Sequence, residues 1–224
     1  MSSPDVTPAR RRGRPPRQRP EGDEDTRALL LRTGLAVLTE KGYSAVALDE
    51  ILRLAQLPKG SFYHCFASKE AFGQALIQAY AAYFAQRLDR SFLDTRLTPL
   101  ARLRHFVDEA QRGMARYGFK RGCLVGNLGQ EMGTLPESFR AQLVAVLHDW
   151  EARTAACLRA AQQAGELSPA HDCAALAHYF WTGWEGAVLR AKLERSPTPL
   201  AAFGQGFLQG LGAKPAPAPH AAST

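Results

Sequence analysis

Apolar residues recur every three to four positions along almost the whole chain from residue 23 to residue 212, and no stretch of useful length alternates apolar with polar. That period places side chains on one face of a helix, so an all-α fold is predicted. The first helix is expected from just after Asp23 to Lys41, with Leu30, Leu31, Gly34, Val37 and Leu38 inward and Gly42 ending it. A short second helix is expected from Ala45 to Ala55, burying Val46, Leu48, Ile51, Leu52 and Ala55. Gln56 and Leu57 then turn the chain, Pro58 suits a first helical position, and a third helix runs through Phe66. Ser68 is placed to cap a long fourth helix, whose stripe of Phe72, Leu76, Tyr80 and Phe84 leads toward Leu93. Five helical segments follow: Thr98 to Tyr117, a glycine-broken stretch from Gly122 to Gly133, Pro136 to Gly165, Asp172 to Arg195, and Thr198 to Leu211.

The chain thus divides into a three-helix head over residues 23–68 and a body of about six helices over residues 69–212. The flanking segments 1–22 and 213–224 hold little to bury and are expected to be disordered. Hydrophobic residues make up 46% of the chain and charged residues 22%, enough to build a real core. No run of 18 apolar residues is present, so no membrane partner is expected. The basic N-terminus lacks the apolar stretch of a secretory signal. Cys65, Cys123, Cys157 and Cys173 show no CxxC or CxxH spacing and read as free thiols, consistent with a cytoplasmic location.

Charge changes the picture because of where it lies. Residues 1–20 carry six arginines against one acid, a net of +5 out of the +7 of the whole chain. A near-neutral body with a cationic arm points to a polyanion met by the arm, or else to a solubilising tail. The segment Val46–Phe66 offers two short helices across a tight turn, the spacing of a helix-turn-helix. On its second helix Lys59, Ser61, Tyr63 and His64 crowd donors onto one turn, Gly60 permits close backbone approach, and only Phe62 and Phe66 face inward. The alternative is a solvated surface helix.

Two body motifs carry candidate chemistry. Gly122, Gly126, Gly129 and Gly133 form one stripe, at a cost of roughly 1 kcal/mol each in helix propensity. Cys123, Asn127 and Gln130 form the neighbouring stripe, and Lys120 and Arg121 beside Cys123 are expected to favour its thiolate; the alternative is a small buried cysteine. Farther on, Trp181, Trp184 or Glu185, Val188 and Lys192 share a helical face. An aromatic wall with a lysine suits a small carboxylate, although tryptophans also simply fill cores. The six histidines fall in no metal or triad spacing, and no nucleophile elbow or phosphate-binding glycine loop is present, so neither an enzyme nor a cofactor is expected.

The stretch Lys41-Gly42-Tyr43, then Leu57-Pro58-Lys59-Gly60-Ser61-Phe62-Tyr63-His64, then Phe66 and Ser68-Lys69-Glu70 resembles the signature of TetR-family DNA-binding heads. Cys65 departs from it, since an aromatic commonly stands there. The resemblance implies a TetR-like all-α fold and a homodimer that binds palindromic operator DNA and yields to a small-molecule inducer. It implies that Lys59, Gly60, Ser61, Tyr63 and His64 meet bases and phosphates, and that Lys69 and Ser44 each hold a phosphate. Arg12-Gly13-Arg14-Pro15 is similar to an AT-hook core, whose two arginines lie in the A·T minor groove; the alternative is a charged tail on phosphates. Gly122–Met132 and Trp181–Lys192, with Phe72-Gly73 and Ala101–Phe106, are similar to a narrower branch of the family that responds to acrylate. A related branch senses electrophiles and reactive chlorine through a cysteine and a lysine, and Cys123 and Lys192 fall at the matching positions. The dimer is expected to join through the last two helices, with Leu200, Phe203, Phe207 and Leu211 at the seam and Gly204 and Gly210 nearby.

Overall fold

The computed structural model describes residues 21–212, which form nine α-helices and no strand. The arm with Arg12 and Arg14, and the tail after residue 212, lie outside the described residues. Helices α1 (Glu21–Lys41), α2 (Leu48–Ala55) and α3 (Lys59–Cys65) make the head. The body consists of α4 (Lys69–Phe92), α5 (Pro99–Ala115), α6 (Leu124–Gln130), α7 (Ser138–Gln163), α8 (Cys173–Glu194) and α9 (Thr198–Gly210).

Local chemistry fixes several of these ends. Ser68 Oγ accepts the Ala71 N–H at 3.0 Å and starts α4. Asp172 accepts from Ala174 and Ala175 at 2.8 and 3.1 Å and starts α8. Such caps satisfy amide groups that the helix itself cannot. Gln56 takes a left-handed conformation (φ 55°) to close α2, and Pro58 is the residue before α3 and not its first.

Two elements differ from expectation. Helix α2 begins three residues later than Ala45, because residues 43–46 form a turn in which Val46 N–H donates to Tyr43 O. Helix α6 has only seven residues, with Cys123 as its N-cap and turns from Glu131 to Thr134. Its glycine stripe leaves too little helix propensity for a longer element.

Helix α4 belongs to both parts. At its start Phe72 packs with Phe62 and Phe66 at ring separations of 5.4 and 4.9 Å, closing the head core. Farther along, Leu76, Tyr80 and Leu88 are buried in the body. There Trp150 and Trp181 pack at a tilt with ring centroids 4.8 Å apart, and Phe84, Phe106 and Phe180 surround them. No helix of the described residues is long and apolar enough to cross a membrane.

Leu200, Phe207 and Leu211 are buried inside the protomer, and Gly204 lies against Val107 of α5. They therefore cannot form the outward seam expected of them. The outer surface of α9 carries Ala201, Ala202, Gln205, Gly206 and Gln209, beside Tyr179, Leu189 and Leu193 exposed on α8.

Candidate DNA interface and ligand cavity

Helix α3 has one buried and one exposed face, and the exposed one carries the residues expected at DNA. Phe62 is fully buried and Phe66 nearly so, which anchors the helix from behind. On the other side Tyr63 is 56% exposed, the Lys59 side chain is 64% exposed with Asp49 3.8 Å away, and His64 is exposed. Ser61 is half-buried, and a side chain at Gly60 would meet nothing within 4 Å. Six bases and eight acids share residues 21–70, so net charge alone does not mark this face for a polyanion.

Lys69 and Ser44, expected at phosphates, have other partners here. Lys69 Nζ donates to Val46 O at 2.7 Å and lies 4.6 Å from the Tyr43 ring centroid. Burial lowers its pKa, and Glu131 acts in the opposite direction. Ser44 N–H donates to Glu131 Oε2 at 2.7 Å, and its hydroxyl lies 3.3 Å from that of Thr134.

Behind the head, α1, α4, α5, α8 and the segment before α6 line an open-mouthed cavity of about 490 Å³. Its walls include Leu35, Ala36, Phe84, Met114, Trp184 and Val188. Polar groups enter from Thr39, Tyr80, Cys123 and Glu185, and cations from Arg32, Arg87 and Arg121. A space of this size with mostly apolar walls and a few convergent polar groups is what small-ligand sites share.

Tyr80, Cys123 and Glu185 form one connected group. The three side chains lie close enough to shift one another's titration, with Cys123 between Tyr80 and Glu185. Gly126 N–H also reaches Cys123 Sγ, at 3.5 Å. A methyl group at Gly126 would collide with Glu185 Oε2, so glycine is what lets the carboxyl lie flat on α6. Glu185 Oε1 is sealed from solvent and has no hydrogen-bond partner. Burial pushes the Glu185 carboxyl up to about 7.

The expected Cys123 thiolate is corrected by this geometry. Burial, and then the carboxylate of Glu185, push its pKa well above the ordinary thiol value. The neighbouring cations do not reach it: Arg121 stacks over the Tyr117 ring at 4.1 Å, and Lys120 is exposed.

Of the other ligand candidates, Trp184 and Glu185 line the cavity beside Cys123. Trp181 does not; it is core, and its Nε1 donates to Thr154 Oγ1 at 2.9 Å. Gln130 is exposed on α6. Asn127 faces α1, where Nδ2 donates to Leu38 O and Thr39 O at 3.0 Å each. Lys192 lies outside the cavity lining, with Nζ 3.5 Å from Thr39 O, and burial lowers its pKa.

Asn127 and Lys192 thus belong to a junction between body and head. Thr39 O also accepts the Gly122 N–H at 2.9 Å. Glu131 holds the N–H groups of Tyr43 and Ser44 at 2.9 and 2.7 Å, and a side chain at Gly42 (φ 86°) would strike its carboxylate. The end of α1 is therefore gripped by the segment that carries Cys123. The sequence reading missed this junction, as well as Tyr80 and the three arginines.

The bacterial regulatory proteins, tetR family, match residues 30–76, and the tetracyclin repressor-like C-terminal domain matches residues 99–207. The transcriptional regulator AcuR of Cereibacter sphaeroides is 59% identical over 197 residues, covering 87% of this chain and 90% of AcuR. The chain belongs to the TetR family.

This TetR-family chain is also similar to the HTH-type transcriptional repressor NemR of Escherichia coli strain K12, at 32% identity over 80% of the chain and 89% of NemR. Among solved structures, a regulatory protein TetR from Rhodobacter sphaeroides superposes with a TM-score of 0.81 at 60% identity, over 82% of this chain and 97% of its own. These relatives are regulators and not enzymes, and the chain is a transcriptional repressor of that family. TetR-family regulators bind operator DNA, dimerise and take small-molecule ligands.

Proposed function

We propose that two copies of this chain hold a palindromic operator through α3, and that acrylate, or a similar small unsaturated carboxylate, releases it by entering the cavity beside Cys123. The observation that carries the reading is that one cavity contains apolar walls, polar groups from Tyr80, Cys123 and Glu185, and a wall shared with the end of α1 through Thr39. The likeness of Gly122–Met132 and Trp181–Lys192 to the acrylate-responsive branch supplies the ligand. Arg32, Arg87 and Arg121 offer charge to balance a carboxylate.

The homodimer would form on the exposed stripe of Tyr179, Leu189 and Leu193 on α8 and the small-residue surface of α9. A two-fold axis there sets two α3 helices about one DNA turn, roughly 34 Å, apart. Inducer at Cys123 and Glu185 shifts α6, which grips α1 through Asn127 and the turn before α2 through Glu131, and the head turns out of register. The shift requires tighter inducer binding to the released state than to the operator-bound state.

The buried thiol favours reversible binding over a switch based on oxidation or alkylation, because the thiolate is the reacting species. Cys123→Ser is therefore expected to keep acrylate-driven release within a few-fold of wild type. An operator gel shift with acrylate, propionate and hypochlorite, with intact mass recorded, checks this. A mass adduct in wild type together with loss of the acrylate response in the variant would replace reversible binding with covalent sensing. No response to any of the three would remove both sensor readings.

A further inference from the structure

The Glu185 carboxyl is the one acid lining the cavity, and no histidine joins it there among the described residues. Its Oε2 lies against Gly126, and the Cys123 thiol stands beside the carboxylate. The other, Oε1, is buried without a partner. A buried carboxylate oxygen with nothing bound to it costs free energy, so the arrangement is incomplete as it stands.

Two states of Glu185 would complete it differently. An ionised Glu185 accepts only, and repels an incoming carboxylate. A protonated Glu185 gains an O–H donor that can meet a carboxylate oxygen of the ligand. The surroundings favour the second. From α4, Tyr80 faces the group beside Cys123. From the segment before α6, Cys123 faces it as a neutral thiol. Arg32, Arg87 and Arg121 line the same cavity without offsetting the burial that raises the Glu185 pKa, and Lys192 of its own helix turns away to Thr39 O.

We infer that Glu185 is the specificity-determining partner of the inducer and acts in its uncharged form, so that a carboxylate inducer enters the cavity together with one proton. The class of ligand that fits is a short monocarboxylic acid, or a neutral isostere such as its primary amide. This rests on the proposed acrylate reading and adds the protonation state to it. Burial raises the Glu185 pKa to about 7, so below that pH the proton is already present and affinity is flat. Above it, acrylate must bring the proton in, and affinity should fall about tenfold per pH unit. Acrylamide, which carries no charge and offers a donor of its own, should lose far less.

The test is titration calorimetry of sodium acrylate into the full chain at pH 6 and pH 8, each in two buffers of different ionisation heat. The heat difference between buffers gives the protons taken up per acrylate bound. Close to one proton at pH 8 and close to none at pH 6 is the expected result. Glu185→Gln should bind acrylate with the same affinity at both pH values and take up no proton, with circular dichroism confirming its fold. Acrylate binding to wild type without proton uptake at pH 8 overturns this inference and leaves the acrylate reading standing. Uptake that persists in Glu185→Gln also overturns it, by assigning the proton to another group. No acrylate binding at either pH removes the acrylate reading, and this inference with it.

Discussion

Replacing Lys59 and Tyr63 together by alanine is expected to weaken operator binding by a factor of about 100 or more, at about 1–3 kcal/mol per lost base contact. The Lys59 side chain is 64% exposed and Tyr63 56%, with Tyr63 meeting the core only at the edge of the Phe62 ring, so the fold should survive both changes. Phe62→Ala offers the contrast. It empties a fully buried site behind the same helix and should cost about 3–5 kcal/mol of stability. Fluorescence anisotropy with labelled operator reads the first effect, and thermal melting separates it from the second. A double variant that melts like wild type and loses less than tenfold in affinity would remove α3 from the interface.

The second large effect concerns transmission. Glu131→Ala is expected to leave acrylate binding to the free protein intact while abolishing most of its effect on the operator. The carboxylate closes two charge-assisted hydrogen bonds, to Tyr43 N–H and Ser44 N–H, each worth about 1.5–3 kcal/mol. These bonds fasten α6 to the turn before α2. Coupling between two sites in such regulators amounts to about 1–3 kcal/mol, or roughly 5–150-fold in affinity. Cutting the fastening should bring that factor toward one. The check is operator affinity measured with and without saturating acrylate for wild type, Glu131→Ala and Glu131→Gln. Full induction in Glu131→Ala would mean that the signal reaches the head without this fastening, through Asn127 and α1 or along α4.

What the sequence disclosed and what it hid follow from the range of each interaction. The head was readable because its determinants are local. Phe62 and Phe66 alternate with exposed donors along a single short helix, and Ser68 and Asp172 announce the helices they cap. The cavity was only half readable, because its chemistry is assembled across the fold. Cys123 has Lys120 and Arg121 beside it in the chain, yet its pKa is set by burial and by Glu185, 62 positions away. Tyr80 lies in the same apolar stripe as Phe72, Leu76 and Phe84, and nothing in the period marks its hydroxyl as facing a cavity. Trp181 and Trp184, three residues apart on α8, divide between core and cavity wall. The dimer seam was misplaced for a related reason. Apolar stripes identify a buried face but not what buries it, and for Leu200, Phe207 and Leu211 the answer lies within the protomer.

The account as a whole stands on one linkage between the two ends of the molecule. The measurement that tests it most directly is the affinity of the full chain for DNA from its own promoter region, against random duplex, with and without acrylate at moderate ionic strength. A clear preference for the promoter that acrylate lowers at least fivefold, with acrylate binding weakened by the same factor on operator-bound protein, is the result expected from reciprocity. Equal binding to both duplexes, or a preference that acrylate leaves unchanged, would contradict it.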